Sequence, residues 1–186
     1  SEVEKLITDL RRILKEVEER NRELNKRNDE TLKRVEETNR RVNKELKEIL
    51  DRVIDEARRK REDRDLLRKL VREVEEVLKK VLRDSEETAK EVERSTREVE
   101  TISRKTVDEV RKVIERVKEA VERLEISEDL LRRVEEELRK VEKDLKRILD
   151  KSRDDLRKSR ERLERILRRS EEIVREVEER LRRAAT

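Results

Sequence analysis

The sequence lacks glycine, proline, cysteine, methionine, histidine, glutamine and every aromatic residue. Without histidine and cysteine it has neither the usual general base, nor a thiol nucleophile, nor the common ligands of transition metals. Without glycine it has no phosphate-binding loop, and without aromatic residues it has no stacking platform for single-stranded nucleic acid. We therefore expect no enzyme, no cofactor and no metal site.

Long apolar runs are also missing, and none approaches the roughly 20 residues of a membrane-spanning helix. No stretch resembles a signal peptide. With 56 basic and 52 acidic residues interleaved, the net charge is only +4, which is typical of a salt-bridged surface. The densest basic run, Arg58, Arg59, Lys60 and Arg61, fits a helix C-terminus, whose carbonyls attract cations, better than a nucleic-acid site. We expect no membrane or nucleic-acid partner and no targeting signal.

What remains is mainly Glu, Arg, Lys, Leu, Val and Ile, which are helix formers and residues that pack coiled-coil seams. Although 58% of the residues are charged, apolar residues recur every three or four positions almost throughout. This spacing averages about 3.6 residues, which predicts nearly straight helices rather than disorder.

Three patterns typical of helix N-termini divide the chain. Ser1 with Glu4 has the spacing of a capping box, and Asp63 and Ser127 each precede an acidic first turn and paired leucines. Ile126 and Leu131 have the spacing of a hydrophobic staple. The sequence therefore predicts one all-α, up-down-up antiparallel three-helix bundle over residues 1–186. Its helices cover about residues 2–61, 64–124 and 128–184, each roughly 90 Å long at 1.5 Å per residue.

Polar side chains interrupt the middle of each apolar stripe. Buried amides and hydroxyls are costly unless they find hydrogen-bond partners, so we interpret these residues as buried layers that fix helix register. An alternative is that some polar residues, chiefly Thr96, Thr101 and the edge asparagines, lie on the surface. The predicted network residues are Asn21, Asn25, Asn28, Thr31, Thr38, Asn39, Asn43, Ser85, Thr88, Ser95, Ser103, Thr106, Ser152, Ser159 and Ser170.

The predicted register supports these layers. If the turns are tight, the residue numbers of facing positions sum to about 125 for helices 1 and 2 and to about 251 for helices 2 and 3. For helices 1 and 3, the residue numbers of facing positions differ by about 126. Each layer then receives polar groups from all three helices. The predicted layers are Asn21 and Asn25 with Ser103, Thr106 and Ser152; Asn28 and Thr31 with Ser95 and Ser159; and Thr38, Asn39 and Asn43 with Ser85, Thr88 and Ser170. The structural alternative, allowed by the absence of glycine and proline, is one helix of roughly 280 Å.

The chain resembles de novo designed helical bundles of the hydrogen-bond-network type. The resemblance rests on the reduced alphabet, the polar layers and the cap sequences D-R-D-L-L (63–67) and S-E-D-L-L (127–131). It implies high stability, a monomer or a defined oligomer, and no evolved ligand. We therefore expect a designed structural scaffold that needs no partner. The alternative is an interaction module, meaning a subunit of a designed oligomer or a switch in which a competing helix displaces one of its own.

Overall fold

The computed structural model describes residues 1–58 and 64–185. They form three helices: α1 (Glu2–Arg58), α2 (Arg64–Arg123) and α3 (Glu128–Ala185). No β-strand occurs in these two ranges. The predicted fold class, an all-α antiparallel three-helix bundle, is confirmed, and the alternative of one uninterrupted helix is wrong.

Two of the three predicted helix caps are present. The backbone N–H of Glu4 donates to Ser1 Oγ at 3.3 Å, and that of Leu130 donates to Ser127 Oγ at 3.3 Å. Each bond satisfies one amide that has no partner within its helix. The predicted cap at Asp63 lies outside the described residues, as do Arg59 to Arg61 of the basic run.

The turn between α2 and α3 is made without glycine. Just after α2, Glu125 adopts a positive φ of 45°, a left-handed conformation that is usually found at glycine when it follows a helix. The β-carbon makes this conformation unfavourable by about 1–2 kcal/mol. Ile126, the next residue, packs against buried residues of α1, α2 and α3, so apolar burial helps hold the strained residue in place.

The chain divides into two compact units, and each helix contributes a segment to both. Unit 1 consists of Ser1–Arg27 and Arg94–Lys158, and unit 2 of Asn28–Glu93 and Ser159–Thr186. The prediction of a single bundle over residues 1–186 stays a prediction.

Each unit has an apolar core drawn from all three of its helical segments. In unit 1, buried valines and leucines of α1 pack against α2 and α3. The unit 1 core residues are Val3, Leu10, Leu14, Val17, Val110, Val113, Val117, Ala120, Val134, Val141 and Ile148. The unit 2 core residues are Leu32, Val35, Val42, Leu46, Leu50, Val74, Leu78, Val81, Val92, Leu163, Ile166, Ile173 and Val177.

Three of the ion pairs between helices in the described ranges agree with the predicted register. In unit 1, Arg11 pairs with Glu137, and in unit 2, Arg162 pairs with Glu36; both pairs join residues 126 positions apart. Arg123 and Glu2 of unit 1, which also pair, have numbers that sum to the value predicted for helices 1 and 2.

Two assignments of exposure are wrong. Thr31 was placed on the buried stripe, but it is half-buried and the adjacent Leu32 is fully buried. A four-residue step from Asn28 reaches Leu32 as readily as a three-residue step reaches Thr31, and burying the larger apolar side chain is favoured. Thr96, a candidate surface residue, is buried, whereas Thr101 is exposed. Among the helices in the described ranges, none is long and apolar enough to cross a membrane.

Candidate functional site

Some buried hydroxyls are satisfied within their own helix. Thr88 Oγ1 donates to the carbonyl of Asp84 at 2.8 Å, and Thr106 Oγ1 donates to the carbonyl of Ile102 at 2.7 Å. Donation to the carbonyl four residues earlier is open to Ser and Thr in any helix. These two threonines therefore do not require a partner on another helix. The asparagine amides, each with two donor hydrogens and a carbonyl, are more demanding.

In unit 2, one polar side chain from each helix joins a single hydrogen-bonded cluster. Asn39 Nδ2 of α1 donates to Ser170 Oγ of α3 at 3.2 Å, and Ser85 Oγ of α2 lies 2.8 Å from the same oxygen. Ser170 Oγ also donates to the carbonyl of Ile166 at 3.1 Å. Because a serine hydroxyl has one hydrogen and two lone pairs, Ser170 then accepts from both Asn39 and Ser85. All hydrogen-bonding capacity of Ser170 Oγ is used.

The same cluster leaves one acceptor without a partner. Asn39 is only 5% exposed, and its Oδ1 is buried without a hydrogen bond. Asn39 also lines a cleft of about 240 Å³, which we call the unit 2 cleft. The residues lining the unit 2 cleft are Glu36, Asn39, Arg40, Asn43, Arg165, Ile166 and Arg169.

In the described part of unit 1, the polar side chains corresponding to this cluster are not joined by hydrogen bonds. Both Nδ2 and Oδ1 of Asn21 are buried without a hydrogen-bond partner. Among the described side chains of unit 1, no hydrogen bond joins any two of Asn21, Asn25, Ser103, Thr106 and Ser152. Asn21 borders a cleft of about 180 Å³, the unit 1 cleft. Its lining residues are Glu18, Asn21, Arg22, Asn25, Arg147, Ile148, Lys151, Ser152 and Asp155.

The other predicted network residues differ in burial. Of the fifteen, those that are buried are Asn28, Asn39, Ser85, Thr88, Thr106, Ser152, Ser159 and Ser170. Those that are half-buried are Asn21, Asn25, Thr31, Thr38, Asn43, Ser95 and Ser103. The structure thus brings Asn39, Ser85 and Ser170 together by hydrogen bonds, and a role for the whole set stays a prediction.

An internal repeat explains why the two clefts have similar linings. The pattern E-E-x-N-R-x-x-N starts at Glu18 and again at Glu36, and R-I-L-x-x-S starts at Arg147 and again at Arg165. In α2, S-x-x-T starts at Ser85 and at Ser103. The copies on each helix are displaced by five turns, about 18 residues. Single polar positions do not reveal this repeat, but comparing each helix with itself at helical spacing does.

The charged residues around the two clefts are paired differently. In unit 1, Glu18 accepts hydrogen bonds from Arg22 at 3.3 Å and from Arg147 at 3.2 Å. In unit 2, Arg162 donates to both carboxylate oxygens of Glu36, at 2.7 and 3.2 Å. The Arg162 hydrogen bonds lower the pKa of Glu36, against a smaller opposing effect of burial. Glu18 and Glu36, which occupy the same position in the repeat, therefore bond to arginines at different positions.

In the described part of the chain, no group of three or more acidic side chains is placed to hold a metal ion. The hydroxyl of Ser170 is committed to three hydrogen bonds, and none of its partners is a base. What the clefts offer is amides, hydroxyls and guanidinium groups, which recognise ligands by hydrogen bonding and charge.

Comparison with known proteins gives a structural likeness. No model of a protein family matches the sequence, and no curated protein matches it. A solved structure described as a "Computationally designed three helix bundle" is similar, with a TM-score of 0.75 and 14% sequence identity. The match covers 99% of this chain and 90% of that one. At this identity the likeness shows the three-helix fold.

Proposed function

We propose that this chain is a designed structural scaffold whose buried polar side chains fix the register of its helices. The observation that carries the proposal is the cluster of Asn39, Ser85 and Ser170, to which each helix of unit 2 contributes one side chain. The reduced alphabet and the likeness to a designed three-helix bundle support a designed origin.

The polar cluster favours one register because its neighbours along α3 are apolar. Ile166 and Ile173 lie about one turn to either side of Ser170, and both are buried. Sliding α3 by a turn would place an isoleucine opposite Asn39 and leave the amide without that bond. A buried polar group left unpaired costs about 1–3 kcal/mol, whereas an apolar layer tolerates such a shift more readily.

The alternative function, an interaction module, requires apolar surface for a partner. Among the residues with described side chains, the large apolar ones that are exposed are Leu66, Leu82 and Leu124. Leu6 and Ile13, which flank the apolar stripe of α1, pack against the unit 1 core. Scattered exposed leucines are normal for a monomer, so scaffold is the better-supported proposal.

The association state separates the two functions. Light scattering of the purified chain should give the monomer mass of 22.8 kDa at all concentrations tested. A stable species of two or three times that mass would support the interaction module instead.

The register role is tested by replacing Asn21, Asn28 and Asn39 together with Leu. The variant should stay helical and soluble by circular dichroism, but native mass spectrometry should show more than one association state, because apolar layers permit other pairings. Glu19→Gln, Glu30→Gln and Glu37→Gln together are the control, since they change three exposed positions of the same helix. An unchanged single species in the leucine variant would remove the register role from the proposal.

A further inference from the structure

The unit 2 cleft contains two arginines that lack a carboxylate partner. Glu36, its one acidic lining residue, is held by Arg162 through two hydrogen bonds, and Arg169 is paired with Glu172 at 3.2 Å. Within the described ranges, neither Arg40 nor Arg165 forms a hydrogen bond or an ion pair. Two guanidinium groups with free donors therefore face a cleft with one neutralised carboxylate.

The charges of these arginines act inside the cleft. Arg40 and Arg165 both contribute electrostatically to the lowered pKa of Glu36, after the larger effect of the Arg162 hydrogen bonds. Their field therefore reaches the side chain that forms one edge of the cleft. An anion placed there would be attracted by both guanidinium groups, which suit the geometry of oxyanions.

The comparison with unit 1 identifies the residue that leaves the two arginines unpaired. In the repeat, Arg22 and Arg147 correspond to Arg40 and Arg165, and both are paired with Glu18. The position that carries Arg162 in unit 2 carries Asp144 in unit 1. Asp144 lies 3.8 Å from Arg147 and adds a second negative charge, whereas in unit 2 the hydrogen bonds to Glu36 come from Arg162 and not from Arg40 or Arg165. The unit 1 cleft is also lined by the acidic Asp155, where the repeat places Ile173 in unit 2, so these two differences together make the unit 1 cleft charge-paired and the unit 2 cleft positive.

A buried acceptor further defines the ligand. Asn39 lines the unit 2 cleft, its buried Oδ1 has no hydrogen bond, and a carbonyl oxygen needs a donor. A ligand that fits both features has anionic oxygens for the arginines and one O–H group for Asn39. The cleft of about 240 Å³ has room for several groups the size of a water molecule, each about 30 Å³.

We propose that the unit 2 cleft binds a small tetrahedral oxyanion that carries a protonated oxygen, with hydrogenphosphate as the matching species. Arg40 and Arg165 donate to its anionic oxygens, and its P–O–H group donates to Asn39 Oδ1. Arg162 acts indirectly, as a positioning residue that occupies both carboxylate oxygens of Glu36 and so leaves the donors of the two arginines free. This binding activity goes beyond the scaffold role and does not depend on it.

The first test is a titration of the ¹⁵N-labelled full chain with inorganic phosphate, sulfate or chloride at constant ionic strength, followed by NMR. Phosphate should produce saturable shifts at the Asn39 amide and at the Arg40 and Arg165 Nε–H groups. Sulfate, which has no donor at neutral pH, should bind about tenfold more weakly, as expected for one lost charge-assisted hydrogen bond. Equal binding of sulfate would overturn the assignment to hydrogenphosphate, and equal shifts with chloride would overturn the site.

The second test exchanges residues that differ between the unit 1 and unit 2 clefts. Arg162→Asp should return Glu36 to Arg40 and Arg165 and weaken phosphate binding at least about tenfold, although both arginines remain. Arg175→Asp, at an exposed position of the same helix, is the control for the change in net charge. Conversely, Asp144→Arg combined with Asp155→Ile should engage Glu18, remove the second acidic lining residue and create a second phosphate site at Arg22 and Arg147.

Circular dichroism establishes that each variant is folded, and the shifted resonances identify which cleft binds. Unchanged phosphate affinity in Arg162→Asp would overturn the positioning role of Arg162. If Arg40→Gln combined with Arg165→Gln bound phosphate as tightly as the parent chain, the site itself would be refuted.

Discussion

Units 1 and 2 carry the same polar pattern on all three of their helical segments, but their hydrogen bonds differ. In unit 2, Asn39 bonds to Ser170, which is also bonded to Ser85. In unit 1, the amide of Asn21 is buried without a partner, although Ser103 and Ser152 occupy the corresponding positions of the repeat. The comparison shows that supplying suitable residues at suitable spacing does not ensure that a buried amide is satisfied.

The reason is the narrow geometry of hydrogen bonds compared with apolar contacts. An N–H···O bond weakens steeply outside a small range of distance and angle, whereas apolar side chains gain from burial in many orientations. Small differences in side-chain placement therefore change a polar layer and leave an apolar layer largely unaffected. A threonine avoids the problem by bonding to its own helix, as Thr88 and Thr106 do.

The largest effect that would distinguish the units is expected from Asn21→Leu compared with Asn39→Leu. Asn21→Leu removes two unpaired buried atoms and should stabilise the chain by about 2 kcal/mol. Asn39→Leu gains apolar burial but loses the bond to Ser170, so the free energy of unfolding should change little. Guanidinium chloride unfolding followed by circular dichroism measures both.

Equal stabilisation by the two substitutions would mean that the hydrogen bond of Asn39 in unit 2 does not contribute to the free energy of unfolding. A loss of stability in Asn21→Leu would show that the Asn21 amide is satisfied in solution.

A smaller effect, dependent on pH, is expected from Glu36→Gln. Because Arg162 lowers the pKa of Glu36, the folded state favours the ionised carboxylate more than the unfolded state does. The contribution of the Glu36–Arg162 pair to the free energy of unfolding is therefore present above the ordinary carboxylate pKa. It is lost as the pH falls through the lower pKa that Glu36 has in the folded state. At neutral pH the variant should be less stable by about 0.5–1 kcal/mol, since the pair is only partly buried.

The difference between the parent chain and Glu36→Gln should disappear at strongly acidic pH, as measured by unfolding curves across a pH series. Glu37→Gln, which removes an exposed carboxylate from the same turn, controls for net charge. A difference that is constant with pH would contradict the ion-pair explanation.

The smallest effect is expected in unit 1, from Glu125→Gly. Glycine adopts the positive φ of 45° without the steric penalty of a β-carbon, but it loses more entropy on folding, so the net stabilisation should be about 0.4 kcal/mol. Glu122→Gly, placed inside α2 at an exposed position, should instead destabilise by about 1 kcal/mol. Amide hydrogen exchange can then report whether the added protection is confined to unit 1 or extends to unit 2. If Glu125→Gly is no more stable than the parent chain, the left-handed conformation is not strained.

Much of the fold could be predicted because the responsible signals are local. Ser1 and Ser127 cap helices through their own hydroxyls, and the serine at each cap is visible in the sequence. The choice between Thr31 and Leu32 was missed, because both are within reach of the same helical step and only packing against other helices decides which is buried. Thr96 was misassigned for the same reason.

The candidate sites were harder to predict than the fold. The predicted register places Asn39, Ser85 and Ser170 in one layer, and hydrogen bonds join these three residues, whereas the failure of Asn21 to find a partner depends on side-chain geometry that no spacing rule contains. The pairing of Glu36 with Arg162 was likewise not predicted, since many arginines lie near each carboxylate and their competition is settled in three dimensions.

By itself, the sequence determined the helices and the all-α fold class, because periodicity, caps and segment length act along the chain. Only the tertiary structure decided which polar groups are paired, which are buried alone, and which arginines are left with free donors. The physical reason is the separation along the chain of the residues that interact. Helical periodicity is set by neighbours a few residues apart. Hydrogen bonds and ion pairs between helices depend on ångström-scale distances between residues far apart in sequence.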